Sequence, residues 1–375
     1  MTFEDWLDDR RELRTAAGLE RELRPRPPTC HQLDLAGNDY LGLSRDPRIT
    51  RAAADAAVRW GAGAGASRLV TGTLQLHADL EQRLAAFTRQ PAALVLSTGY
   101  QANLAVVTAL TDRDTLIVSD AHAHASLVDA CRLARPGALV IVPHNDVDAV
   151  VSALRGRTLA RALVLVESVY SVLGDESPLL SLAEAVGTYG GVLVVDEAHA
   201  LGVCGVGGRG LLSAHGLTDR PDVVATVTLS KALGAQGGAV LGSRRLVDHL
   251  VNVARPFIFD TGLAPASTAA AHEALAVIEA EPQLPWRART IAAAMAAQLQ
   301  CAGPAGAVLS VAMPGPQAAL EAQSLLAADG FRVGCFRPPS VPDGVSRLRL
   351  TASASLSDDE VRRVLSRLGK GGWQR

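Results

Sequence analysis

Six short apolar runs recur along the first two thirds of the chain and alternate with helical patterns: AALVLS at 92–97, TLIVSD at 115–120, ALVIVP at 138–143, ALVLVES at 162–168, GVLVVDE at 191–197 and VVATVTLS at 223–230. Strands that are apolar on both faces and separated by helices belong to a parallel sheet covered on both sides. Ligands of such sheets gather outside the carboxyl ends of the strands. The polar residues that close these runs are therefore where chemistry is expected.

The flanking sequence predicts an arm and a second lobe. Phe3, Trp6, Leu7, Leu13 and Leu19 among charges predict an amphipathic helix from Phe3 to about Leu23, ended by RPRPP at 24–28. GNDYLGLS at 37–44 signals a turn before a helix from Asp46 to about Trp60, and the alternating glycines of GAGAGASRLVTGTLQLH, 61–77, let bare backbone approach a neighbour before the next helix. Beyond Thr261 come an alanine-rich helix at 266–280, a helix from Arg287 to Leu299, a strand at AVLSVAM, a helix near 317–329, and strands at 331–336 and 346–351. The expected division is an N-terminal helix and arm over 1–45, a large domain over 46–260 and a small α+β domain over 261–375, which 375 residues can accommodate.

Several function classes drop out. A formal net charge of −2 provides no basic field for nucleic acid or anionic lipid. No apolar run is long enough to span a membrane, and MTFEDWLDDRRELR is no secretory core, so a cytoplasmic protein is expected. The five cysteines are odd in number, widely spaced and without a CxxC pair, which suits reduced thiols. His122 and His124 in HAHAS have metal-like spacing but no evident third ligand, so no metal is expected.

One residue stands out by type. The chain has only two lysines, Lys231 and Lys370, and every other basic residue is arginine. Lys231 follows VVATVTLS in an apolar, glycine-rich stretch. A guanidinium keeps its proton, whereas a desolvated ammonium can become the neutral amine that attacks carbonyls. Asp196 ends the strand of VVDEAH with His199 three residues on. A P-loop ATPase, suggested by DEAH alone, would need GxxxxGK followed by Ser or Thr, and neither lysine has that context. The aspartate could instead keep a pyridinium protonated, making pyridoxal 5′-phosphate an electron sink. STGYQAN at 97–103 offers a helix N-terminus for its phosphate, with the Thr228 and Ser230 hydroxyls beside it. His124 suits stacking on a cofactor ring, and Arg349 in SRLRL suits clamping a carboxylate.

The set TLSKALG, VVDEAH, TGYQAN, HAS, NDYLGLS and RLRL, in that family's order from about Leu13 to Leu368, resembles the α-oxoamine synthases, pyridoxal-phosphate enzymes of the aspartate-aminotransferase fold. The resemblance implies fold type I: an α/β large domain with a mostly parallel seven-stranded sheet, and a smaller α+β C-terminal domain. It implies that Lys231 forms the internal aldimine, Asp196 pairs with the pyridine nitrogen, His199 bonds the phenolic oxygen and His124 stacks on the ring. Gly99, Tyr100 and Thr228 would hold phosphate, and Thr261 would serve the neighbour's phosphate site in a homodimer. Ser171 matches a serine near the cofactor and Glu167 an acidic residue of that segment. Arg349 would receive the amino-acid carboxylate, with Arg21 and Ser340 near the acyl substrate.

The FRPPSVP run, 336–342, points within the family to condensation of L-alanine with a pimeloyl thioester, on coenzyme A or acyl carrier protein, with release of carbon dioxide and thiol in biotin biosynthesis. Glycine C-acetyltransferase, 5-aminolevulinate synthase and secondary-metabolism members are the alternatives. Val172, Leu173 and Ala200 depart from the usual residues, with consequences expected for substrate preference and not for the lysine–aspartate pair.

Overall fold

The computed structural model of the chain describes residues 1–338 and 340–371. Pro339 of the FRPPSVP run and the last four residues of the C-terminal lobe lie outside them. The six apolar runs form β2 (Ala92–Leu96), β3 (Thr115–Asp120), β4 (Ala138–Val142), β5 (Arg161–Glu167), β6 (Val192–Asp196) and β7 (Val223–Thr228). A seventh strand, β8 (Gly238–Gly242), runs antiparallel between β2 and β7, in the order β2-β8-β7-β6-β5-β3-β4. Among the described residues, every other neighbouring pair in this sheet is parallel.

Alternation along each strand divides the core in two. Leu116, Val118, Val164, Val166, Leu193 and Val195 pack on one face. Ile117, Leu163, Leu165 and Val194 pack on the other, against α4 (Gly99–Ala109) and α5 (Ala125–Ala134). Each leucine or valine so buried contributes about 1.5–3 kcal/mol relative to exposure, so a one-residue slip that exchanged the faces would be strongly disfavoured. This fixes which residues arrive at the carboxyl edge.

A second sheet, β1-β10-β11-β9, is built from β1 (Leu33–Leu35), β9 (Val308–Ala312), β10 (Phe331–Phe336) and β11 (Arg347–Thr351). It packs on α12 (Gln283–Leu299), α13 (Pro316–Ala328) and α14 (Asp358–Gly369) around Met295, Leu326, Phe331 and Leu350. At the expected boundary near 261 stands α11 (Pro265–Ala280), whose Ala271, Leu275 and Ile278 join the large core, while β1 of the arm pairs with β10 of the small sheet.

The first helix is shorter than the amphipathic pattern predicts. α1 covers Phe3–Ala16, capped at Thr2 by a bond from the Asp5 amide of 3.1 Å. It ends at Gly18, whose φ of +64° takes the left-handed turn that glycine adopts without Cβ strain, well before the prolines. No residue of α1 is buried. The turn after it is anchored far away: Thr351 Oγ1 donates to the Gly37 carbonyl (2.7 Å) and Ser353 Oγ to that of Asp39 (2.9 Å).

Candidate active site

Parallel strands bring Ser97, Asp120, Glu167, Asp196 and Thr228 to one edge of the large sheet, with Glu167 opposite Asp196 and Asp196 opposite Thr226 in register. β8 starts at this same edge because it runs the other way. Its Gly238 lies so close to the start of α4 that a Cβ there would stand 2.4 Å from the Gly99 nitrogen and from the Thr98 carbonyl carbon. A Cβ on Gly99 would approach that of Thr228 to 3.0 Å. Two glycines thus open a shallow cradle at the N-terminus of α4. The Thr98 hydroxyl accepts from the Gln101 amide (3.0 Å), and the Thr228 and Ser230 hydroxyls share a bond of 2.6 Å at the rim. The unpaired amides and helix dipole favour an anion there. The Tyr100 phenol turns away to Asp129 on α5, leaving its backbone at the cradle.

Next to the cradle a buried network fixes Asp196. Asn103, 2% exposed, donates Nδ2 to Asp196 Oδ2 at 2.7 Å and to Ser126 Oγ at 2.8 Å, and accepts from Thr226 Oγ1 at 2.6 Å. The Ala198 amide donates to the other Asp196 oxygen at 2.9 Å. Ser126 passes the order on to His124, the N-cap of α5, whose Nδ1 lies 2.7 Å from Ser126 Oγ and accepts from the Ser126 amide at 3.2 Å. His124 Nδ1 is therefore unprotonated, and burial holds this imidazole below its ordinary pKa against the pull of Asp196.

Lys231, half-buried at the end of β7, places Nζ 2.8 Å from His199 Nε2. Burial of its ammonium lowers the pKa to about 8 against the opposing pull of the Asp196 and Glu167 carboxylates, and Arg349 adds to the lowering. His199, buried and beside two cations, stays well below the usual imidazole range. Its Nε2 accepts from the lysine, so Nδ1 carries the proton and donates to Tyr40 Oη at 2.7 Å, and Tyr40 donates to Asn38 Oδ1 at 3.0 Å. Burial pushes the Tyr40 phenol up to about 12. Burial raises the Glu167 carboxyl to about 8, with Asp196 adding to the rise and Lys231 opposing it, and Glu167 accepts from the Ser171 amide at 3.0 Å.

Arg349 enters from β11, 4% exposed, with Nε on the Ser171 carbonyl (2.6 Å), Nη2 on Asn38 Oδ1 (3.0 Å) and Phe336 beneath the guanidinium at 5.6 Å. Among the described residues Nη1 donates to no protein acceptor, leaving one end of the fork for a carboxylate. Arg21 and Ser340 meet elsewhere, by a 2.7 Å bond in an open cleft of about 840 Å³ that also includes Arg24, Leu320, Gln323 and Arg337. Thr261 is exposed beside Ser97 and Asp260, apart from the network around Lys231. His122 packs against His144 with ring centroids 4.4 Å apart and planes tilted by 40°, and no group of side chains able to hold a metal occurs among the described residues.

Sequence reasoning passed over Asn103, Tyr40 and Asn38. The signals were there: an asparagine inside a helix, where it is intrinsically disfavoured, and a tyrosine in the otherwise turn-like NDYLG.

The sequence model of aminotransferase class I and II matches residues 31–368. The chain belongs to the class I and II aminotransferase family. Its architecture is the aspartate-aminotransferase-like fold type I. Among family members, the protein of Mycolicibacterium gilvum named 8-amino-7-oxononanoate synthase is 54% identical, over 95% of this chain and 94% of its own length. Solved structures extend the likeness within the family. Sphingomonas wittichii serine palmitoyltransferase superimposes with a TM-score of 0.89 at 27% identity, covering 98% of this chain and 96% of that one. A structure described as SPT with a PLP internal aldimine gives the same TM-score, identity and coverage.

Proposed function

We propose that this family member condenses L-alanine with a pimeloyl thioester, on coenzyme A or acyl carrier protein, to give 8-amino-7-oxononanoate, carbon dioxide and free thiol, with pyridoxal 5′-phosphate as cofactor. The observation that carries the reading is Lys231: an amine lowered to about 8 by burial, 2.8 Å from a neutral imidazole, at the edge where Asp196 and Arg349 converge. The naming of a relative at 54% identity supports the choice of substrates.

The residues fit the cofactor. The glycine cradle at α4 with the Gly99 and Tyr100 amides, Thr228 and Ser230 suits its phosphate, Asp196 its ring nitrogen, His199 its phenolic oxygen and His124 its ring face. When bound, it supplies a carbonyl for amine capture and a protonated ring that draws away the electron pair of a broken bond at the amino-acid α-carbon. Asp196, whose two oxygens are held by Asn103 and the Ala198 amide, keeps a proton on the ring nitrogen. The Lys231 amine, whose ammonium form burial disfavours, would remove the α-proton of alanine. Arg349 receives the alanine carboxylate on the end of its fork that Ser171 and Asn38 leave open. Arg21 and Ser340 contact the acyl chain.

The reading extends to a homodimer in the cytoplasm. Thr261 serves the partner's phosphate site, supported by its exposure and by its bridge to Ser67, next to Leu69 and Val70, which are 51% and 74% exposed in the single chain. The unpaired cysteines suit a reducing compartment.

The test is the visible absorbance of the protein with pyridoxal phosphate, titrated with L-alanine, glycine and serine and then given pimeloyl-CoA. A cofactor band lost in Lys231→Ala, with alanine preferred and thiol released, is the expected outcome. A glycine or serine preference with another acyl thioester moves the protein to a sister activity, and no band at all overturns the cofactor assignment.

A further inference from the structure

Behind the site lies a polar cluster that no step above uses. His144 lies between two carboxylates on different loops: Nδ1 is 3.0 Å from Asp120 Oδ1, at the end of β3, and Nε2 is 2.8 Å from Asp175 Oδ2, in the turn after β5. Asn145 repeats the grip, its amide donating to Asp120 Oδ2 (2.8 Å) and its side chain to Asp175 Oδ2 (3.0 Å) and the Glu176 carbonyl (3.2 Å). It does so at a φ of +57°, a left-handed conformation that asparagine tolerates better than most residues. Tyr170 meets the His144 ring edge-on at 4.3 Å, and the His122 ring lies tilted at 40° to it with centroids 4.4 Å apart.

Each gripped loop ends in the site. From Asp120 the chain turns through His122 and Ala123, whose amides bond back to Asp120, into His124. From Asp175 it is closed by Tyr170 N–H to the Asp175 carbonyl (3.0 Å) and Gly174 N–H to that of Tyr170 (2.8 Å), which leaves the Ser171 carbonyl facing Arg349 Nε at 2.6 Å. We propose that His144 is a positioning residue: it ties the loop carrying His124 to the loop carrying Ser171, and so fixes the carbonyl that aims Arg349 at the amino-acid carboxylate. The proposal rests on the assignment of Arg349 made under Proposed function.

Charge suits the role. The two carboxylates outweigh burial and raise His144 to about 9, so the clamp is an imidazolium at neutral pH. The other charged or titratable groups near the cluster are Asp343 and Arg347, paired with each other and facing His122, the Glu176–His215 pair, and the Tyr170 phenol with Glu167 beyond it. Because the folded-state pKa is raised, what the clamp contributes is complete below the ordinary imidazole value and is lost as pH rises through about 9.

The experiment uses the holoenzyme and His144→Gln, with Asp175→Asn as the second variant should the first fail to fold. At about pH 7.5 His144→Gln is expected to raise the KM for alanine, and its Kd from spectral titration, roughly tenfold, the loss of one charge-assisted bond. The KM for pimeloyl-CoA and kcat stay within about twofold. The variant-to-wild-type ratio of alanine KM should fall toward one by about pH 9.5, where the wild type loses its imidazolium too; taking the ratio cancels titration of alanine itself. Histidine NMR supplies a readout independent of turnover: one imidazole of the wild type titrates near pH 9 and moves down in Asp175→Asn. An unchanged alanine KM, a uniform fall of all kinetic constants, or a His144 imidazole titrating near its ordinary value would each overturn the proposal. Failure of the wild type to bind alanine would count against the assignment of Arg349, while the NMR titration would still decide whether the clamp exists.

Discussion

At the strand edge Asn103 is 2% exposed and both polar atoms of its amide are engaged, tying Asp196, Ser126 and Thr226 into one unit. In the cleft of the N-terminal arm the ties are exposed ones, Arg21 Nη2 to Ser340 Oγ and Arg337 Nη1 to the Gly18 carbonyl. Buried, satisfied networks hold one geometry because any lost partner strands a polar atom away from water. Exposed pairs are screened and hold little. The molecule thus separates a tightly held centre around Asp196 from an open cleft around Arg21 and Ser340, where side chains are loosely tied.

The sharpest break falls on Lys231. Lys231→Arg keeps the charge but removes any neutral amine, and condensation should fall by about 10⁴-fold or more in kcat, read by thiol release. With only two lysines in the chain, the same residue can also be titrated directly. Amine labelling of the cofactor-free protein, followed at the Lys231 peptide by mass spectrometry, should reach half its limiting rate near pH 8, because burial has lowered that ammonium. A half-point near the ordinary lysine value would show that the edge is wetter than described.

A middle-sized effect tests the network. Asn103→Ala strands Asp196 Oδ2 and Thr226 Oγ1, and should destabilise the fold by about 1–3 kcal/mol while reducing kcat more than the KM for either substrate. Denaturant melts with steady-state kinetics would check both. Stability loss without the kcat effect would confine Asn103 to the fold. The smallest effect belongs to the arm: Arg21→Ala or Ser340→Ala should raise the KM for the acyl thioester only about two- to fivefold and leave the melting curve in place. A large change in kcat from either would erase the contrast between the two regions.

Legibility in the sequence follows the same contrast. The six strands could be read because each is an apolar run, a pattern that burial imposes on five of them, while β4 at the sheet edge keeps Leu139, Val140 and Ile141 exposed in the single chain. β8 could not, since Gly238–Gly242 has a three-residue apolar centre between glycines, and the need for Gly238 comes from the Thr98–Gly99 backbone rather than from its neighbours in sequence. The end of α1 was misplaced because Leu19 and Leu23 continue the apolar pattern past the Gly18 turn. Lys231 declared itself by residue type alone. Asn103 and Tyr40 did not, because their partners lie 93 and 159 positions away.

The reversed strand has a consequence for the growing polypeptide. β2 and the start of α4 emerge early in synthesis, but the β8 segment that lies between β2 and β7 is not made until residue 242, and Arg349 follows more than a hundred residues later. At about 5–20 residues per second, the nascent chain spends many seconds with the inner edge of β2 unpaired. No anion cradle can close during that interval. Closure of the cradle is thereby deferred until about two thirds of the polypeptide has been made, and the inner edge of β2 waits unpaired through that interval.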